Sequence, residues 1–389
     1  MKDLATSSFA KAAEDIKNAK KAWPTARLGD VCEIVYGTRV RKKDSIGDEY
    51  PVYGGGGETF RWDTFNRENQ CVVSRFAMSE ECVRFVKGKF FLNDSGLTVD
   101  SRDVRLLQSF LDWFLFGNQE VIYFFGKGSA QRNLDIGEFS SISIPLPPLT
   151  VQCEIVARLE KELGEADRLA AKFKRVAELA DDAFKAELDE TFMAVEGEKV
   201  RLGDVCVIQR GGSPRPIKKY LTTSTNGLNW IKIGDVASDG KYIVSVEDKI
   251  TPSGLNKTRR VKAGDFLLSN SMSFGRPYIL KIDGCIHDGW LVLHGFQDKF
   301  SEDYFYYLLR SSSVQIQFDS LAHGSSVRNL NTSAVSSVEV SITSLPEQRT
   351  IVAKLDAAKE RCEKLKAAAM RGLAAAENLR KAILAEAFE

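Results

Sequence analysis

Arg27-Leu28-Gly29-Asp30-Val31-Cys32 returns 174 residues later as Arg201-Leu202-Gly203-Asp204-Val205-Cys206. Two further stretches return at a spacing of 196. Gly128-Ser129-x-x-Arg132-Asn133-Leu134 comes back as Gly324-Ser325-x-x-Arg328-Asn329-Leu330, and Ile155-Val156-Ala157-Arg158-Leu159 as Ile351-Val352-Ala353-Lys354-Leu355. A period near half the chain length means two copies of a whole domain, not a solenoid of short repeats. Because the offset grows from 174 to 196, the second copy carries extra residues in its first half. Similar strand cores with strongly different loops are the pattern of one scaffold presenting two recognition surfaces.

Each copy ends in a long helix. Residues 151–192 contain no Pro and a single Gly, Gly164. Apolar or small residues recur at Ile155, Leu159, Ala166, Leu169, Phe173, Val176, Ala180 and Ala183, with Glu162 as one polar lapse; this spacing is a coiled-coil seam. Adding 196 gives Ile351, Leu355, Cys362, Leu365, Ala369, Gly372, Ala376 and Leu379, and Ala358 fills the position of the lapse. Leu159, Leu169, Phe173, Leu355, Leu365 and Leu379 are therefore the expected packing residues. A lone stripe of this kind can equally cover its own domain. A helix of about 40 residues, however, is roughly 60 Å long, more than the diameter of a domain of about 125 residues. Small residues along both seams let backbones approach, so the two helices are expected to pack antiparallel as a spacer between two heads.

The expected organisation is a helical lead-in over residues 1–24, a first domain over 25–150, a first helix over 151–196, a second domain over 197–345 and a second helix over 346–389. The fold class is α/β of the α+β type. In the first domain the runs Val31–Tyr36, Cys71–Phe76 and Val83–Val86 read as strands between glycine turns, and Leu106–Phe116 reads as a helix. In the second, Trp230–Asp235, Tyr242–Val246, Asp265–Ser269, Tyr278–Ile282 and Trp290–Leu293 read as strands, and Tyr304–Leu309 matches the helix.

The 389 residues allow two or three domains, each with its own core. No run approaches 18 consecutive apolar residues, and the N-terminus lacks a signal-peptide pattern. Seven Cys without a CxxC pair make neither a disulfide framework nor a zinc site. A cytoplasmic protein is expected, with no membrane partner. The net charge of +1 excludes a wholly basic surface, so any nucleic-acid site must be local. Residues 201–345 hold 17 Lys/Arg against 13 Asp/Glu, whereas residues 27–150 hold 15 against 17, so the second copy is the more electropositive.

After the opening strand of each copy lies a basic loop: Gly37-Thr38-Arg39-Val40-Arg41-Lys42-Lys43 in the first, Arg210-Gly211-Gly212-Ser213-Pro214-Arg215-Pro216-Ile217-Lys218-Lys219 in the second. Lys and Arg on such loops suit phosphate contact, and Arg also reads guanine bidentately. One such loop would be an ordinary solvated surface; two in register favour DNA, with Arg39, Arg41, Lys42, Lys43, Arg210, Ser213, Arg215, Lys218 and Lys219 as contacts. Tyr53-Gly54-Gly55-Gly56-Gly57 reads either as a close backbone approach to a ligand, with Tyr53 beside it, or as a plain turn. Ser74-Arg75-Phe76 and Ser269-Asn270-Ser271-Met272-Ser273 end equivalent strands, where Ser74, Arg75, Ser271 and Ser273 are placed to reach bases. Lys257, Arg259, Arg260 and Lys262 form a basic run found only in the second copy. Arg132 and Arg328 suit phosphate, but the Asn-Leu that follows equally suits turn and core. His287, His294 and His323 have no metal-ligand spacing. There is no GxGxxG after a strand, no Walker A, no nucleophile elbow and no Asn-Pro-Pro-Tyr/Phe of amino-methyltransferases. A binding or targeting subunit is expected, not an enzyme.

Ile144-Pro145-Leu146-Pro147-Pro148-Leu149-x-x-Gln152-x-x-Ile155-Val156, Ser344-Leu345-Pro346-x-Gln348-x-x-Ile351-Val352, the opening Leu-Gly-Asp-Val and Tyr50-Pro51-Val52-Tyr53-Gly54 together resemble specificity (S) subunits of type I restriction–modification systems. The resemblance runs from about residue 25 to 389. It implies two target recognition domains, each reading half of a bipartite double-stranded DNA sequence, and two antiparallel helices that fix the spacer and bind two methyltransferase (M) subunits. Those subunits would carry S-adenosylmethionine and methylate adenine N6; restriction (R) subunits using ATP would join to cleave DNA, and the S chain would bind no cofactor and no metal. One departure is that Ile342-Thr343-Ser344 stands where the first copy has Leu146-Pro147-Pro148, which leaves open how the second helix starts. Two other classes remain in view: an autonomous DNA-modifying enzyme, against which the missing motifs count, and an assembly scaffold that binds protein instead of DNA.

Overall fold

The computed structural model describes residues 23–128, 131–236, 240–270, 274–322 and 329–388. The lead-in of residues 1–22 and three expected DNA contacts, Ser271, Ser273 and Arg328, lie outside these, as does His323. The chain divides into two compact units, residues 1–172 with 372–389, and residues 173–371.

In the first unit the strands are β1 (Thr25–Arg27), β2 (Cys32–Tyr36), β3 (Tyr50–Gly54), β4 (Gly57–Trp62), β5 (Arg67–Ser74), β6 (Val83–Leu92), β7 (Gly96–Ser101), β8 (Gly126–Lys127), β9 (Asn133–Leu134) and β10 (Ser143–Pro145). Six form one mixed sheet in the order β2-β7-β5-β6-β3-β4, and β1 pairs with β10 to close the two ends of the domain on each other. Leu28-Gly29-Asp30-Val31 is a single helical turn whose Leu28 and Val31 enter the core. The helix Gln108–Gly117 buries Phe110, Leu111, Phe114 and Leu115 against this sheet.

The second unit repeats the plan with a more divided sheet. Its strands are β11 (Glu198–Arg201), β12 (Val207–Arg210), β13 (Leu228–Ile231), β14 (Tyr242–Ile243), β15 (Lys249–Ile250), β16 (Arg259–Val261), β17 (Phe266–Ser269), β18 (Pro277–Leu280), β19 (Gly284–Ile286), β20 (Trp290–His294) and β21 (Glu339–Ile342). They form a five-stranded sheet β12-β20-β17-β18-β14, a four-stranded sheet β15-β13-β19-β16, and the closing pair β11-β21. The helix Glu302–Arg310 is buried along nearly its whole length by Tyr304, Phe305, Tyr306, Tyr307, Leu308 and Leu309. The expected strand Trp230–Asp235 stops at Ile231, where residues 233–235 turn into a 3₁₀ helix that Asp235 caps by accepting the Lys232 N–H.

The first long helix is Leu149–Met193 and the second Leu345–Phe388. Pro147 and Pro148 precede the first, their fixed φ suiting a helix start. The second begins differently. The Ser344 Oγ and backbone N–H both donate to the Glu347 carboxylate, and the Glu347 N–H approaches the Ser344 Oγ, a Ser-x-x-Glu capping box in place of the diproline. One glutamine in each helix locks it to its domain. Gln152 accepts the Leu107 N–H and donates to the carbonyls of Arg105 and Pro147; Gln348 accepts the Ser301 N–H and donates to the carbonyls of Lys299 and Thr343. Both side chains are wholly buried.

Within each unit the two helices run antiparallel. In the second unit Asp181 meets Lys366 at 2.6 Å, while Glu187, six residues on, meets Arg361 at 3.5 Å. In the first, Asp167 meets Arg380 at 3.2 Å, and Leu384 and Ala387 join the core that holds Ile155, Leu159 and Leu163. Leu159 and Leu355 are fully buried and Phe173 half-buried, in line with the seam read from the sequence. Leu169, Leu365 and Leu379 do not pack between the two helices: they are 42%, 49% and 47% exposed. The first helix buries Leu159, Leu163, Ala166, Ala177 and Ala180 and half-buries Ala170 and Phe173 between them, alternating steps of four and three through Leu163 instead of Glu162. The sequence seam shares every second position with this one and chose the neighbouring residue at the others. In the second helix the buried positions pass from Ala376 to Leu384 and Ala387, with half-buried Arg380 taking the position assigned to Leu379. Arg380 can fill it because its aliphatic stem packs while its guanidinium reaches Asp167 and lies 5.7 Å from the Phe116 ring centroid. Ala166, Ala177, Ala180, Ala358, Ala369 and Ala376 are buried, small residues that allow close backbone approach.

Candidate nucleic-acid interface

The opening strand of each unit leaves the sheet at a glycine that nothing larger could replace. A Cβ on Gly37 would lie 2.0 Å from the Asn93 carbonyl oxygen, and one on Gly211 2.1 Å from that of His287. Two backbone hydrogen bonds fix this crossing identically. Gly37 N–H donates to Gly96 and Thr38 N–H to Leu92; Gly211 N–H donates to Trp290 and Gly212 N–H to Ile286. The same backbone frame thus launches both basic loops beside the turn that enters β7 or β20.

The loops then diverge. In the first unit Arg41 is paired with Asp44 at 2.7 Å, an exposed contact of little strength. Arg39, Lys42 and Lys43 are exposed and, among the described residues, have no carboxylate within ion-pair distance. Asn93 donates to the Val40 carbonyl and tethers the loop. In the second unit three of the expected contacts converge on one acid. Ser213 Oγ donates to Asp288 at 2.7 Å, Arg215 pairs with the same carboxylate at 3.2 Å, and Arg210 donates to the Asp288 carbonyl. The Ser213 hydroxyl, helped by a backbone N–H and by Arg215, holds the Asp288 carboxyl below its ordinary range, so it is an anion at neutral pH. Burial lowers the neighbouring His287, whose Nδ1 accepts the Gly289 N–H and is therefore unprotonated. Lys218 and Lys219 stand exposed on the next 3₁₀ turn. Lys257 lies against the Tyr220 ring and donates to its hydroxyl, and Arg259 and Arg260 extend the basic surface along β16.

Several expectations are corrected. Ser74 is buried and its Oγ donates to the Gly55 carbonyl, so it braces the strand end and presents nothing outward. Tyr53 packs edge-to-face on Phe90 within a small core. The glycine run beside it is the hairpin between β3 and β4; a Cβ on Gly55 would lie 2.7 Å from the Ser95 carbonyl oxygen, so the close approach is to the protein's own backbone. Arg132 lies 4.7 Å from the Tyr123 ring centroid and donates to the Tyr123 carbonyl, while Leu134 is buried. Arg75 by contrast is half-buried at the end of β5, its guanidinium 4.6 Å from the ring centroids of both Tyr36 and Phe76.

Asp288 was not singled out in the sequence. The available signal was Asp94, which returns as Asp288 at a spacing of 194. No group of His, Cys, Asp and Glu among the described residues could hold a metal ion, and no described helix is long and apolar enough to cross a membrane.

Comparison with known proteins agrees with this architecture. The chain is similar to a putative type I restriction enzyme specificity subunit of Haemophilus influenzae, 24% identical over 345 residues, covering 85% of this chain and 86% of the relative. It is 25% identical over 380 residues to the type I restriction enzyme MjaVIII specificity subunit of Methanocaldococcus jannaschii, covering 86% of this chain and 85% of that one. In fold it is similar to a chain from a structure described as the basis of complex assembly and conformational transition of the type I R-M system, with a TM-score of 0.71 at 19% identity, covering 94% of this chain and 97% of that one. The family model for the type I restriction modification DNA specificity domain matches twice, over residues 20–170 and 194–369. The chain therefore belongs to the type I restriction modification DNA specificity domain family and carries two copies of that domain.

Proposed function

We propose that this chain is the DNA-sequence specificity subunit of a type I restriction–modification complex and performs no chemistry itself. The observation that carries the reading is the duplicated frame at Gly37 and Gly211: one backbone geometry presents two basic loops of different composition. Phosphate contact asks for cations, and reading two different half-sites asks for different side chains on a common scaffold. In the first domain Arg39, Arg41, Lys42, Lys43 and Arg75 face one half of a bipartite double-stranded site. In the second, Arg210, Arg215, Lys218 and Lys219 face the other, with Asp288 and Ser213 holding the loop in shape.

The two long helices set the distance between the half-sites and dock two methyltransferase subunits. Those partners hold S-adenosylmethionine and methylate adenine N6, and ATP-using restriction subunits join them to cleave; this chain binds neither cofactor. The complex acts in the cytoplasm. The test is sequencing that detects methylated bases in DNA from cells carrying the partner methyltransferase, with and without this chain. Methylated adenines at one split motif, found only with the chain, are the expected result. An assembled and soluble complex that yields no new methylation would overturn the reading and favour an assembly scaffold.

A further inference from the structure

The backbone at Arg75 and at Asn270 is held identically. Arg75 N–H donates to the Ser95 carbonyl and Leu134 N–H donates to the Arg75 carbonyl; Asn270 N–H donates to Gly289 and Leu330 N–H donates to Asn270. The preceding residues, Ser74 and Ser269, are both buried serines. The scaffold therefore presents one position twice and fills it with different side chains.

What the two side chains do is unlike. Asn270 is buried, and its Nδ2 donates to the Asp288 carbonyl. Arg75 is half-exposed and rests against Tyr36 and Phe76, each ring centroid 4.6 Å from its guanidinium carbon. Among the described residues, nothing accepts a hydrogen bond from that guanidinium and no carboxylate pairs with it. Elsewhere in the unit Arg41, Arg61, Arg67, Arg102, Arg105 and Arg132 each have an acceptor. Ring contacts order a guanidinium through its π-faces and leave its in-plane N–H fork unused. An ordered fork without an acceptor is preorganised for a planar acceptor pair from outside.

Two acceptor pairs on DNA fit such a fork, phosphate oxygens and the O6/N7 edge of guanine. Phosphate is the same in every half-site, so a phosphate contact has no reason to differ between two copies of one frame. A base contact must differ if the half-sites differ. We infer that Arg75 is the guanine-reading residue of the first recognition domain, held by Tyr36 and Phe76, at a position where the second domain reads nothing with Asn270. This rests on the proposed DNA-specificity function and goes one residue deeper.

The experiment compares methylation motifs produced by the full complex containing the natural chain, Arg75→Ala or Arg75→Lys. With Arg75→Ala one G·C position in one half-site should lose its discrimination by about ten- to hundredfold, the usual value of a bidentate pair, while the other half-site stays as strict as before. Arg75→Lys keeps the charge and loses the planar fork; because an ammonium still reaches guanine O6/N7, it relaxes the same position to a smaller degree, a readout that stands even where Arg75→Ala folds poorly. A uniform fall in methylation with every motif position intact would make Arg75 a phosphate contact and overturn the assignment, as would an unchanged motif. Absence of any split motif with the natural chain would instead overturn the parent function, and this inference with it.

Discussion

Replacing Gln348 by Ala removes a side chain that makes three buried hydrogen bonds: Ser301 N–H to Oε1 at 2.9 Å, Nε2 to the Lys299 carbonyl at 2.7 Å, and Nε2 to the Thr343 carbonyl at 3.0 Å. It strands one backbone donor and two acceptors at the point where the second long helix enters its domain. At about 1 kcal/mol net per hydrogen bond the loss is about 3 kcal/mol, and more where water cannot enter to replace the amide. For a unit of roughly 200 residues that corresponds to a fall in Tm of about 6–12 °C. Hydrogen–deuterium exchange followed by peptide mass analysis places the effect. Peptides spanning residues 299–310 and 343–355 should exchange faster in Gln348→Ala, whereas Gln152→Ala should do the same for residues 105–115 and leave the second unit protected. A Tm within about 2 °C of the natural chain, with unchanged exchange in both regions, would refute the view that these two glutamines lock helix to domain.

Leu355→Ala, at a fully buried position, should destabilise the second unit by about 2–5 kcal/mol, whereas Leu365→Glu should leave thermal unfolding within about 0.5 kcal/mol of the natural chain; equal effects would return Leu365 to the seam. Burial pushes the Asp112 carboxyl up to about 6, against the Gln108 hydrogen bond that favours its ionised form. The native state therefore binds a proton that the unfolded chain has already released, and stability falls as pH rises from about 4 to about 6. Asp112→Asn keeps the acceptor for Gln108 and should gain about 2–3 kcal/mol at pH 7 and nothing at pH 4, measured by urea unfolding at both; a gain of equal size at both pH values would remove the titration argument. Replacing Lys42 and Lys43 by Ala together should lower the slope of log binding constant against log salt for the full complex by about 2, with the motif unchanged; an unaltered slope would take both lysines off the phosphates.

The repeat spacing, the two unbroken helical stretches and the alternating apolar runs were local signals, and they determined the duplication, the α+β class, the two long helices and the positions of several core strands. Those signals suffice because periodicity depends only on which face of a helix or strand is apolar. Which diagonal of a long helix forms the seam was decided by packing: Leu163 and Leu169 are equally apolar in sequence, and only the neighbouring helix and domain make the first buried and the second 42% exposed. The basic loops were legible because charge clusters are composition. The fate of each polar residue in them was not. Ser74 and Ser213 are the same residue type near strand ends, yet one closes on the Gly55 carbonyl inside the protein and the other reaches Asp288, 75 residues away in sequence. Hydrogen bonds of that reach depend on how the sheet folds back, so tertiary structure alone separates the arginines that already have an acceptor from Arg75, which rests between two rings and, among the described residues, lacks one.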